Sequence, residues 1–188
     1  MTLKELGRIS SVTEKIEYRM MKMRLLSLKP LCGCLLITSA HAFAIQPAPL
    51  QQSNMSLNLA NALVQATMTA CHSQGRVAVA AVIDRGGHVL SLQRDDSVGP
   101  HNTDAAIKKA FTALSTKTPS RIFAENARKN PESANLNTID SLLLIGGGVP
   151  VKVGDEVIGA IGVGGAGGSL IDEGCALEAV DKVLGSAK

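Results

Sequence analysis

Residues 157–174 read "VIGAIGVGGAGGSLIDEG". Within them Gly162, Gly164 and Gly167 fit G-x-G-x-x-G, and the reading of that pattern decides the fold. A dinucleotide fingerprint places its glycines in the first strand–helix turn of a βαβ unit. It also needs an acidic residue roughly 20 positions on, at the end of the next strand. From Gly167 to Lys188 the sequence reads as one helix, and Asp181, the acidic residue nearest that distance, falls inside it. The fingerprint reading fails, and no NAD is expected. Two explanations of the glycines stay open. A strand bare at Gly159, Gly162, Gly164 and Gly165 admits another backbone or a flat ligand. The turn "GGAGGS" also opens a helix at Ser169, whose free N–H groups suit a carboxylate.

Working outward, "VPVKVGDEVIGAIGVGG" (149–165) reads as a hairpin turning at Gly154-Asp155, preceded by a strand "SLLLIGGG" (141–148). A second hairpin, "RVAVAAVID" and "HVLSLQR", turns at "RGG" (85–87). Its first strand is apolar on both faces and is expected to be central. In its second strand, Val89 and Leu92 do not alternate strictly. A helix over 55–74 puts Leu59, Leu63, Ala66 and Ala70 on one face and closes at Gly75. Another over 101–118 has Asn102 or Thr103 as N-cap, Asp104 in its first turn and Ile107, Phe111 and Leu114 as its apolar face. A short helix follows Pro119, then a polar irregular stretch, 131–140. The last helix is apolar at Leu170, Ala176, Val180 and Leu184, with Leu177 beside that stripe. The order α β β α α β β β α predicts a single α+β domain over 55–188, with a five-stranded antiparallel sheet flanked by helices.

Of the 188 residues, 45% are hydrophobic and 2% aromatic, so the core is aliphatic and base stacking has almost no platform. Seven of the 19 Lys/Arg and three of the 16 Asp/Glu lie in residues 1–44, leaving 12 basic and 13 acidic side chains in the body. A body of about −1 has no electrostatic case for nucleic acid or an anionic membrane. The basic excess belongs to "MKMRLLSLKPLCGCLLITSAHAFA" (21–44), which reads as a secretory signal. Lys22, Arg24 and Lys29 precede a short apolar run, and Ala42-Phe43-Ala44 supplies an A-x-A cleavage site. Cleavage after Ala44 predicts a periplasmic or secreted chain with no membrane span and a flexible leader at 45–54. Cys71 and Cys175 remain in the body, as a disulfide or as two buried thiols.

Four stretches occur in register: "VAAVIDRGGHVLSLQRDD" (79–96), "AAIKKAFTALSTKTPS" (105–120), "GGGVPVKVGDEVIGAIGVGGA" (146–166) and "DEGCALEAV" (172–180). Together they resemble the GlcG/HbpS-like family, which includes the C-terminal domain of PduO-type proteins. The resemblance implies a profilin- or PAS-like α/β sandwich and a homo-oligomer, up to an octamer. Exported members resembling HbpS bind haem; others are linked to corrinoid metabolism or to glycolate operons. The family segment usually ends "IGVSGA"; here Gly164 replaces the Ser.

Against that resemblance, His101 stands out among His72, His88 and His101. It follows Gly99-Pro100 at a helix start, where a neutral imidazole would ligate haem iron. Arg94 or Lys109 would pair with a propionate or carboxylate. Thr112 lies in the stretch resembling the family's ligand region. Gly162, Gly164, Gly165 and Ser169 complete the expected ligand-binding set. The pocket is expected between the helix from His101 and the glycine-rich strand. No zinc spacing and no G-x-S-x-G elbow is present. The expected function is haem binding, sequestration or sensing rather than turnover. The alternatives are an enzyme or accessory protein acting on a small hydroxy acid or carboxylate, and corrinoid binding.

Overall fold

The computed structural model describes residues 47–185, apart from the side chain of Ala134; the expected signal region lies outside them. Ser56 opens α1 (Leu57–Ser73), its hydroxyl accepting from the N–H of Leu59 and satisfying one of the free donors of the first turn. Then follow β1 (Val79–Asp84), β2 (Val89–Arg94), α2 (His101–Thr116) and α3 (Ser120–Lys129). A 3-10 helix (Pro131–Thr138), β3 (Gly148–Val153), β4 (Glu156–Gly164) and α4 (Ser169–Leu184) complete the order.

The sheet is antiparallel, with strand order β2-β1-β4-β3. The two strands that are apolar on both faces, β1 and β4, take the centre. Pro150 sits in β3, at an edge, where a missing N–H costs no ladder bond. A register shift between Val82 and Ile83 breaks the alternation of β2, so Leu90 and Leu92 pack into different apolar clusters. This accounts for the imperfect alternation of its sequence.

The sheet has four strands, not the five expected, because residues 141–147 do not pair as a strand. Several of their backbone groups find side-chain partners instead, and the Gly147 carbonyl accepts from the N–H of Val163. The N–H of Leu143 donates to Thr112 Oγ1 at 2.8 Å, and Ser120 Oγ donates to the carbonyl of Ile145 at 2.8 Å. Ser120 Oγ also accepts from the N–H of Gly148 at 2.8 Å. Hydroxyls from α2 and α3 thus do the work of a ladder, and an apolar run without periodicity carries no trace of them.

One face of the sheet carries Ala80, Val82, Val149, Val151, Ile161 and Val163 against α1 and α4. The other carries Val79, Ala81, Ile83 and Ala160 against α2. Fully buried aliphatic side chains such as Leu63, Ile83 and Ile161 each contribute about 1.5–3 kcal/mol. A disulfide joins Cys71 of α1 to Cys175 of α4, with the Cα atoms 5.3 Å apart and a sequence separation of 104. The leader is anchored at its end: Ser53 donates its N–H to Glu156, and Asn54 Oδ1 accepts from the N–H of Arg85.

Two helices bury the expected apolar face only in part. On α2, Ile107, Phe111 and Leu114 are only partly buried, while Ala106, Lys109, Ala110 and Ala113 are buried. At Gly162 a Cβ would collide with the carbonyl oxygen of Ala106, so the backbones touch and only small residues fit the seam. On α4, Ala176 is buried and Val180 and Leu184 pack against the core as expected, but Leu170 and Leu177 are exposed and Asp172, Glu173 and Cys175 are buried. Ion pairs and the disulfide orient that helix, which hydrophobic spacing does not register. The expected N-cap of α2 also shifts. Pro100 is already in helical conformation, the helix begins at His101, and Asn102 Nδ2 donates back to the carbonyl of Gly99.

Candidate functional site

Register brings part of the expected set to one end of the sheet. Val79 pairs with Arg94 on one side and Gly164 on the other, so Arg94 and Gly164 lie in one row. The start of α2 rests on the same end: a Cβ on Gly164 would stand 3.1 Å from the Asn102 carbonyl oxygen, and one on Gly165 2.7 Å from Val98 Cγ1. His101, next to Asn102, is exposed there, and so are Arg94 and Gly165. Among the described residues, neither the His101 ring nor the Arg94 guanidinium has a hydrogen-bond or ion-pair partner.

The other two histidines are held. His72 Nε2 lies 2.9 Å from Asp95 Oδ2, which also accepts from the N–H of Ala78 at 2.8 Å. Burial pushes the Asp95 carboxyl up, but the bonds from His72 and Ala78 outweigh it and hold it below the ordinary value. His88 Nδ1 lies 3.3 Å from Asp84. Burial raises that carboxyl too, and hydrogen bonds from His88 and Gly86 bring it below normal. Both carboxyls are depressed in the fold, so their stabilisation is present above the unfolded value and is lost as pH falls through the folded one. Urea midpoints are therefore expected to drop as pH goes below about 4, and less steeply in Asp95→Asn. Equal acid sensitivity in the variant would remove Asp95 from this account.

The remaining expected residues lie elsewhere. Gly162 is sealed against α2 by the Ala106 contact, which leaves no gap for a flat ligand between those backbones. Gly162→Ala is expected to cost about 1–3 kcal/mol through overpacking. Gly164→Ser, needing only a small shift of Asn102, should cost less. Urea melts of the two variants check the order, and the reverse order would refute this packing explanation. The Thr112 hydroxyl is used within the fold, donating to the Lys108 carbonyl and accepting from the N–H of Leu143.

Lys109 is the centre of a buried network that sequence reasoning did not find. Its Nζ donates to Asp172 Oδ2 at 2.7 Å and to the Val163 carbonyl at 2.9 Å. Asp172 Oδ1 accepts from the N–H of Ala166 at 3.0 Å. Gly147, at φ +120°, leaves room for the pair: a Cβ there would stand 2.8 Å from Asp172 Cβ. Next to it, Arg121 grips Glu173 with Nε and Nη2 at 2.9 and 3.2 Å, and Glu125 with Nη1 at 2.9 Å. These carboxylates raise the Arg121 guanidinium further, with Glu173 contributing most. The i,i+4 spacing of Arg121 and Glu125 was the one legible signal for this network. Ser169, half-buried, opens α4 beside a groove of about 390 Å³ lined by Arg121, Arg128, Ile145 and Leu170.

Among the described residues no group of three or more His, Cys, Asp or Glu is placed to hold a metal ion, and no helix is long and apolar enough to cross a membrane.

Residues 55–181 match the family model described as "Haem degrading protein HbpS-like". Protein GlcG of Escherichia coli K12 is 32% identical over 109 residues, 58% of this chain and 80% of GlcG. A double-mutant HbpS of Streptomyces reticuli superposes with a TM-score of 0.68 at 27% identity, covering 83% of this chain and 97% of that one. The ORFY protein of Klebsiella pneumoniae superposes with a TM-score of 0.70 at 26% identity, covering 75% and 98%. With the four-stranded antiparallel sheet and its helices on both faces, this chain belongs to the HbpS-like family.

Proposed function

We propose that this chain is an exported protein that binds haem, for sequestration or sensing, with His101 as the iron ligand. The observation that carries the assignment is the state of the histidines. His72 and His88 are engaged by Asp95 and Asp84, whereas the exposed His101 ring has no partner among the described residues. The residues around it fit haem. A neutral imidazole is an axial iron ligand, and the exposed Arg94 guanidinium suits a propionate. Bound haem would supply the redox and ligand chemistry of its iron; the chain holds and orients it. The family description supports haem-related chemistry, and HbpS is among the similar structures. The Cys71–Cys175 disulfide supports export, since such bonds persist in oxidising compartments. Like the resemblance, the reading includes a homo-oligomer.

The test is a hemin titration of the purified protein and of His101→Ala, followed in the visible spectrum. A saturable Soret shift in the wild type that disappears in the variant is the expected result. A shift retained in the variant removes His101 as ligand, and no saturable shift removes haem. A second reading, a small hydroxy acid or carboxylate, is favoured by the groove that Ser169 lines together with Arg128. In that case glycolate, not hemin, would raise the Tm.

A further inference from the structure

We propose that a groove at the opposite end of the sheet from His101 is a binding site for a free amino acid with an apolar side chain. The groove, about 460 Å³, lies where the β1–β2 turn, the β3–β4 turn and the last turn of α2 meet. That volume falls within the roughly 300–1,000 Å³ of small-molecule pockets. Its apolar wall is Phe111 and Leu114, both half-buried and one helical turn apart. Phe111 is held against the β1–β2 turn: at Gly87, φ +84°, a Cβ would stand 2.8 Å from Phe111 Cε2. A fixed aromatic wall offers apolar area at little entropic cost.

Four charged residues line the groove, and two are already committed. Arg85 Nη1 donates to the carbonyls of Ser53 and Val157 at 3.3 and 3.2 Å. Glu156 accepts from the N–H of Ser53 and lies 3.9 Å from Arg85. The other two, Lys117 and Asp155, have no hydrogen bond or ion pair through their side chains among the described residues. One uncommitted cation and one uncommitted anion beside an apolar wall match a zwitterion. A simple carboxylate would meet Lys117 but also face Asp155, and a simple amine would meet the reverse conflict. The exposed Ser115 hydroxyl adds a donor and an acceptor to the same wall.

The backbone at Lys117 points the same way. Its φ of 53° makes it the non-glycine residue with positive φ among those described, at the C-cap of α2. Helices usually give that position to Gly or Asn. The favourable field of the helix end would reach a lysine one turn earlier without the strain. What position 117 adds is a cation in the groove, and strain held at such a place accompanies function.

The test is calorimetric titration of the full chain with L-phenylalanine, 3-phenylpropionate and 2-phenylethylamine. L-phenylalanine is expected to bind saturably, with each analogue at least about tenfold weaker. Lys117→Gly is expected to weaken L-phenylalanine binding at least about tenfold while raising the Tm, which separates loss of the site from loss of the fold. Lys152→Ala, outside the groove, should bind as wild type. No saturable heat from L-phenylalanine, equal binding of 3-phenylpropionate, or undiminished binding by Lys117→Gly would each overturn the proposal, whatever hemin does.

Discussion

Reduction of the Cys71–Cys175 bond is expected to cost the folded chain about 4 kcal/mol. The bond closes a loop of 104 residues, and cross-linking so long a stretch removes much of the denatured ensemble's freedom. Both cysteines are fully buried, one on α1 and one on α4, so the bond also ties together the two helices that cover one face of the sheet. Equilibrium urea unfolding with and without reductant measures the loss. Cys71→Ala, Cys175→Ala and the double variant should lose similar amounts, because each breaks the same cross-link. Clearly additive losses, or a midpoint indifferent to reductant, would show that the thiols act separately. A loss of that size is a large part of a domain's usual 5–15 kcal/mol, so a reducing compartment would hold a much weakened protein.

Lys109→Met is expected to cost about 3–5 kcal/mol, because it strands a buried carboxylate. The side chains of Lys109 and Asp172 are only 6% and 4% exposed, too little for water to replace a lost partner. Asp172 would keep the Ala166 N–H alone, and the Val163 carbonyl would lose its donor. Asp172→Leu should be costly for the mirror reason, leaving the buried Lys109 ammonium without its carboxylate. The double variant Lys109→Met/Asp172→Leu should recover much of the loss, since an apolar pair of similar volume removes both desolvation penalties. Urea midpoints of the three variants form a double-mutant cycle. If the losses simply add, the pair is not coupled.

Much of the architecture was legible because it rests on local pattern. The apolar run at Val79–Asp84 reads as a central strand, and it is one. The Gly154-Asp155 turn and the short helix after Pro119 also follow from residue type. The stretch at 141–148 misled because its backbone is satisfied by Thr112 and Ser120, which lie far away in sequence. The inward face of α2 was legible only in part, for a related reason. Ile107 and Phe111 have the spacing of a core face and pack against it, but contact of Ala106 with Gly162 gives the fully buried positions to three alanines, Lys109 and Thr112.

At the candidate site, residue type alone singled out His101, Arg94 and the glycines. It could not separate them from Lys109 and Thr112, whose polar groups are consumed inside the fold. Nor could it find the Arg121–Glu173 clasp, which joins residues 52 apart in sequence. By itself, the sequence determined the α+β class, the hairpins, the absence of a dinucleotide fingerprint and the family resemblance. All of these depend on periodicity, turn chemistry and motif order along the chain. Only the tertiary structure decided that Cys71 and Cys175 pair, which histidine among the described residues is left without a partner, and which cation is buried. Those outcomes depend on distances between segments that the order of residues does not encode locally, and at hydrogen-bonding range an ångström decides whether a side chain is spent or available.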